Sequence, residues 1–218
     1  MKPYIFDEKF AFNHLSSLKV IGDMKDIHNS RSLFSSLNLN SQNFVCANQV
    51  HSNNIKIVEA SDKSKIIEGC DGLITSEKSL MLGVFTADCL PVLMVDTCTK
   101  VKAAVHAGWR GLESNILKKA VGIFNSHFKS KLQNIKVYIA PHIQKCCYEV
   151  SEELGRIFGI ELENGRLDLS AIAFKELEEA GLVGNNILIS QNCTFCQNIF
   201  FSYRRDKCRQ RMLTVIWD

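Results

Sequence analysis

Two histidines and a cysteine, His51, Cys89 and His106, stand in contexts suited to presenting metal ligands. They occur as Gln49-Val50-His51, as Ala87-Asp88-Cys89-Leu90-Pro91, and as Val105-His106-Ala107-Gly108-Trp109-Arg110-Gly111. Two imidazoles and one thiolate fill three corners of a zinc tetrahedron and leave the fourth for water or substrate, as in catalytic rather than structural sites. A zinc with one open position brings the pKa of water bound there to about 7. The ligands are 38 and 17 residues apart, which matches no short zinc signature. A lone histidine is more often a satisfied polar residue, and a lone cysteine more often packing. Two local features favour ligation. His106 closes an apolar run before a glycine-bearing turn, and Cys89 lies between two apolar segments beside Asp88 and Pro91.

Several neighbours have the right chemistry to work with such a centre. Asp88 reads as a proton shuttle or a partner of the ligands, and equally as a strand-end cap. Gln49 reads as orienting His51 or a base edge, or merely as the polar partner of a surface strand. Arg110 follows the His106 turn at the start of a helix, where its guanidinium and the helix amides suit a phosphate. Arg204, Arg205 and Arg211, with Tyr203 and Phe201, form a basic cluster that reads as a substrate and phosphate contact or as a solvated face. Cys89 and His106 also read as a nucleophile and its base. Cys193-Thr-Phe-Cys196 offers half of a structural zinc clip. Its one nearby thiol pair, Cys146-Cys147, is adjacent in sequence, and adjacent cysteines are expected to fit poorly on one tetrahedral ion.

The elements that must position these residues alternate strands and helices. Val45 to Val58 reads as a strand, a loop carrying His51, and a second strand. Residues 82–85 and 91–95 read as buried strands flanking Thr86-Ala-Asp-Cys89, and residues 101–105 as a strand ending at His106. A helix is expected from Leu112 to Phe128, with Ile116, Leu117, Ala120, Val121, Phe124 and Phe128 on one face. Residues 137–140 read as a strand, and 150–158 and 170–180 as helices, the second with Asp168 or Ser170 as N-cap and Gly181 as its stop. Residues 187–189, 199–201 and 213–217 read as strands. The order implies an α/β or α+β layered fold with mixed sheets.

The 218 residues suit one domain, or one large domain with an elaboration. With 46% apolar and 22% charged residues the composition is ordinary for a globular chain. A net charge of +3 is too small to imply nucleic acid. The first ten residues lack the apolar core of a secretory signal, so a cytoplasmic location with reduced thiols is expected. Of the nine cysteines, Cys46, Cys70, Cys98 and Cys208 read as small buried hydrophobes.

Asn48-Gln-Val-His51, Ala87-Asp-Cys-Leu-Pro91 and His106-Ala-Gly-Trp-Arg-Gly111 resemble the three signatures of the YfiH/laccase-domain family, also called multicopper polyphenol oxidases and, more recently, purine nucleoside phosphorylase/adenosine deaminases or peptidoglycan editing factors. The resemblance continues through Cys146-Cys-Tyr-Glu-Val150, Asp168-Leu169, Cys193-Thr-Phe-Cys196 and Phe201-Ser-Tyr-Arg-Arg-Asp206, and spans about Gly22 to the end. It implies a four-layer α/β/β/α sandwich and a zinc triad of His51, Cys89 and His106, with copper as the other metal. It implies deamination of adenosine and phosphorolysis of adenosine, inosine or methylthioadenosine. Asp88 and Arg110 then stand beside Cys89 as catalytic candidates. Gln49, Arg110, Tyr203, Arg204 and Arg205 are candidates for contacting substrate and phosphate. The alternatives are copper-dependent polyphenol oxidation and cysteine-type hydrolysis of cytoplasmic peptidoglycan precursors. Six histidines with no His-x-His pair fit poorly with a trinuclear copper cluster. The family's N-terminal Thr-Arg segment, a phosphate or substrate contact, has no counterpart in Phe12-Asn-His-Leu-Ser16, so the resemblance implies the metal site more directly than phosphorolysis, on a domain with a shortened N-terminus. A small-molecule substrate is expected, with neither nucleic acid nor membrane as partner.

Overall fold

A computed structural model describes residues 2–10 and 12–218. Its strands are β1 (Tyr4–Ile5), β2 (Asn13–Ser17), β3 (Phe44–Asn48), β4 (Ile55–Ile57), β5 (Ile66–Glu68), β6 (Gly72–Thr75), β7 (Met81–Thr86), β8 (Leu90–Asp96), β9 (Lys102–Ala107), β10 (Ile135–Ile139), β11 (Ile187–Ile189) and β12 (Met212–Trp217). Its α-helices are α1 (Ile27–Ser36), α2 (Trp109–Glu113), α3 (Ile116–Ser126), α4 (Glu152–Ile157), α5 (Leu169–Glu179) and α6 (Tyr203–Asp206). The strands form two six-stranded mixed sheets. One has the order β1-β2-β12-β7-β3-β5 and the other β11-β10-β8-β9-β6-β4.

Side-chain alternation along each strand builds the layers. Leu82 and Val84 of β7, Leu93 and Val95 of β8 and Ala104 of β9 meet in the core between the sheets. The alternate residues Leu90, Val92 and Met94, with Ala103, Val105 and Ala107, face away and pack on Ile116, Leu117, Ala120, Val121 and Phe124 of α3. On the opposite outer face Met81, Leu213 and Val215 pack on Leu33 and Phe34 of α1. The stack is therefore helix, sheet, sheet, helices. Strands covered on both faces bury every residue, as β8 does from end to end.

Two expected elements differ. The helix expected over Leu112 to Phe128 is two helices, broken at Ser114 and at Asn115, whose φ of 57° is left-handed. Residues 199–201 form no strand; Phe200 and Phe201 are buried as a plug against Leu18, Ala87 and Met212. Cys46 and Cys70 are buried as expected, but Cys98 is exposed and Cys208 half-buried. Among the described residues no helix is long and apolar enough to cross a membrane.

Candidate metal centre

The chain passes from the first sheet to the second three times, and two of these passages carry a candidate ligand. Residues 49–54 link β3 to β4 and hold His51; residues 87–89 link β7 to β8 and end at Cys89. His106 stands near the end of β9, where Pro91 pairs with it and Leu90 with Ala107. These three side chains converge, with their ligand atoms all within 4.8 Å of one another. The two imidazoles meet edge to face, with ring centroids 4.8 Å apart. His106 is buried, Cys89 half-buried and His51 exposed, so the cluster is open on the His51 side. Gly108 lies against it. A Cβ there would come within 3.2 Å of His51 Cδ2 and 3.3 Å of Cys89 Sγ. With φ at −78°, it is close approach that favours glycine at this position, and not backbone freedom.

One carboxylate organises two of the three residues. Asp71, fully buried, precedes β6, and its carbonyl accepts from His106 N at 2.7 Å, extending the β6–β9 ladder. Its Oδ1 meets His106 Nδ1 at 2.8 Å and accepts from His51 N at 2.9 Å. Its Oδ2 accepts from Ser52 N at 2.7 Å and Ser52 Oγ at 2.8 Å. This gathering of backbone N–H groups holds His51 at a φ of 59°, a conformation that a non-glycine residue keeps only when its surroundings over-determine it. Asp71 was missed in the sequence. The only signal was an acid directly before the apolar run Gly72-Leu-Ile-Thr75, and its partner lies 35 residues away.

Electrostatics follow from this geometry. Burial works against ionising Asp71, but bonds from His106 and Ser52 outweigh it and hold the carboxyl near 2. Burial likewise opposes a Cys89 thiolate, yet His106 and His51 draw its pKa down to about 6. His106 is raised to about 9 against its own burial by Cys89 and Asp71. A thiolate is the form of cysteine that binds a metal.

The remaining sequence candidates divide. Trp109, Tyr148, Glu149, Val150 and Arg204 line an open groove of about 580 Å³ beginning one residue beyond Gly108. Arg204 donates through Nη1 to Glu149 O at 2.6 Å, and its guanidinium lies 5.1 Å from the Tyr148 ring. Arg110 is exposed and stacks on Trp109 at 4.2 Å; α2 is a single short turn, so the expected helix-amide anion site is not built. Gln49 is spent on backbone, donating to Phe85 O and accepting from Phe85 N, both at 2.8 Å. Arg205 directs its donors to Thr194 O, Phe195 O, Phe200 O and the Asp206 carboxylate, so it braces a loop and is not free for phosphate. Asp88, at a φ of 92°, accepts from Thr194 Oγ1 at 2.7 Å and Arg204 N at 2.6 Å. Both oxygens are engaged, which favours the cap over the proton shuttle. Tyr203 is half exposed beneath Lys207.

Residues 12–218 match the family described as multi-copper polyphenol oxidoreductase laccase. The chain belongs to this family. Within the laccase-type family it is 41% identical over 167 residues to a purine nucleoside phosphorylase of Clostridium acetobutylicum, covering 72% of this chain and 69% of that one. It is 30% identical to the purine nucleoside phosphorylase YlmD of Geobacillus stearothermophilus, covering 96% and 85% of the two chains. The crystal structure of YlmD from the same organism superposes with a TM-score of 0.91 at 27% identity, over 99% of this chain and 96% of that one. Bacillus licheniformis YfiH shares the fold, with a TM-score of 0.89 at 23% identity over the full length of both chains.

Proposed function

We propose that this chain is a zinc-dependent enzyme acting on purine nucleosides, cleaving them with phosphate and deaminating adenosine. The observation that carries the reading is the meeting of His51, Cys89 and His106, with Asp71 fixing two of them. Relatives named purine nucleoside phosphorylase support the substrate class. The donor set fits zinc. Two nitrogens and a sulfur leave one corner free, a buried carboxylate stands behind a ligand, and Gly108 leaves space that a Cβ would fill. When bound, the ion supplies Lewis-acid chemistry at the free corner.

The chain's own residues do the rest. Asp71 takes the Nδ1 side of His106, so the ring offers Nε2 to the cluster. Trp109 gives the groove an aromatic wall for a purine. Arg204, with only Nη1 engaged among the described residues, offers its remaining donors to phosphate. In phosphorolysis a phosphate oxygen bonds the ribose C1′ as the bond to the base breaks, and the base leaves with a proton.

The test is incubation of zinc-loaded protein with adenosine, with and without phosphate, followed by chromatography. Inosine formed without phosphate reports deamination, and adenine formed only with phosphate reports phosphorolysis. No turnover in either condition defeats the proposal. One observation favours a second reading: Cys89, His106 and Asp71 also stand in the order nucleophile, base and orienting acid. Hydrolytic activity that survives metal stripping and is abolished by alkylating Cys89 would establish that reading instead. A copper oxidase is less well served, because the other four histidines, at 14, 28, 127 and 142, lie outside the cluster.

A further inference from the structure

We infer that Cys146, Cys147, Cys193 and Cys196 form a second, closed metal site: a tetrathiolate clip for a soft divalent ion such as zinc, separate from the centre at His51. The four Sγ atoms all lie within 4.8 Å of one another. The contacts are 3.5 Å for Cys146–Cys147, 3.9 Å for Cys146–Cys193, 3.7 Å for Cys146–Cys196 and 3.2 Å for Cys147–Cys196. A tetrahedron with metal–sulfur bonds of about 2.3 Å has sulfur–sulfur edges of about 3.8 Å, so the thiols already stand near the corners an ion requires. The expectation that adjacent cysteines fit one ion poorly is not met here, because the turn at residues 145–147 directs both sulfurs to the same point.

Packing does not account for the cluster. Cys146 and Cys196 are exposed and Cys147 only half-buried, whereas thiols kept for their apolar character belong in the core. Backbone N–H groups of Gln144, Cys196 and Phe195 point at the Cys193 sulfur. Arg205 adds positive charge to the same turn by donating to Thr194 O and Phe195 O, each at 2.9 Å. On binding, each thiol gives its proton to solvent and its sulfur to the metal. Four protein ligands leave no open corner, so the clip is structural.

Its position gives it a task. It fastens the segment carrying Tyr148 and Glu149, which line the groove, to the segment carrying Thr194, whose Oγ1 donates to Asp88 beside Cys89. The two segments are otherwise tied by backbone pairing of His142 with Cys193 and by Gln144 Nε2 donating to Ser190 O.

The test is cobalt and zinc loading of reduced, full-length protein, with metal counted by mass spectrometry and cobalt read by its thiolate charge-transfer absorption. Wild type is expected to bind two equivalents. Cys89→Ala should keep one, with the spectrum of four thiolates, and Cys196→Ser should keep only the other. Zinc should also protect Cys146, Cys147, Cys193 and Cys196 from alkylation in wild type, which decides the question even if a variant fails to fold. The proposal is overturned if Cys89→Ala binds no metal and the four thiols alkylate at the same rate with and without zinc. It is equally overturned if, in protein purified without added oxidant or reductant, the intact mass shows disulfides among them in place of metal. Neither result bears on the centre at His51, which the metal content of Cys196→Ser reports separately.

Discussion

Asp71, buried behind the cluster, sets the backbone of one ligand and the ring of another. Replacing it with Asn keeps the shape but exchanges an accepting oxygen for an NH₂ group facing donors. Asp71→Asn should weaken zinc binding by about 10- to 100-fold, as measured by chelator competition; an affinity within twofold of wild type would remove Asp71 from the account. Its carboxyl, held near 2 when folded against 3.8 ordinarily, gives stability that is full above the unfolded value and lost as pH falls through the folded one. Acid unfolding of metal-free protein should therefore carry a component between about pH 4 and pH 2 that Asp71→Asn lacks. Gly108→Ala tests the same site by volume alone. The added methyl meets His51 and Cys89 at 3.2–3.3 Å, and side chains that hold a metal tolerate displacements of only about 0.5 Å. Zinc affinity should fall by about tenfold while the metal-free melting temperature stays near wild type.

Helices α3 and α5 are joined by a buried acid. Glu176 of α5 accepts through Oε1 from Leu117 N and Lys118 N at the start of α3, at 2.7 and 2.8 Å. Asn115 at the N-cap provides no side-chain bond, so a residue from another helix caps α3. The same contact explains why one expected helix is two, since Glu176 can receive those amides only if the chain breaks before Ile116. Burial raises Glu176 to about 7 in spite of these bonds, and its Oε2 has no partner among the described residues. Its folded pKa lies above the unfolded 4.5, so its contribution is full below about pH 4.5 and lost as pH rises through about 7. Wild type should lose stability across that window, by on the order of 3 kcal/mol. Glu176→Gln, which keeps the accepting oxygen, should flatten the profile in chemical denaturation. An unchanged slope would mean that Glu176 is already ionised in the fold. The apolar face of α3 was legible because its period is local, whereas the break was not, because its cause sits in α5.

At the scale of the molecule, the candidate centre lies where two sheets are stitched together. Ligands from two connections and one strand make the ion a crosslink that the unfolded chain lacks. Binding to the folded state alone adds about 4 kcal/mol at a thousandfold excess over Kd, and each kcal/mol shifts the melting temperature of a chain this size by about 2–4 °C. Adding zinc to metal-free Cys196→Ser, which retains only the His51 centre, should raise its melting temperature by about 8–16 °C in calorimetry. A shift under 2 °C would show that these ligands are not held together by metal.

The sequence by itself determined eight of the twelve described strands, the helices α3, α4 and α5, and the identities of the three convergent residues. Strand alternation, helical period and the context of His51, Cys89 and His106 are encoded within a few residues of each position. Tertiary structure alone decided which strands share a sheet. It placed β3 and β4 in different sheets although they follow one another, and β7 and β8 likewise. It brought Asp71 to His106, turned Gln49, Asp88 and Arg205 inward to hold backbone and loops, and gathered four scattered thiols. Each of these depends on pairings between distant segments, and no local pattern encodes such a pairing, because its free energy arises only after the chain has closed the loop that separates the partners.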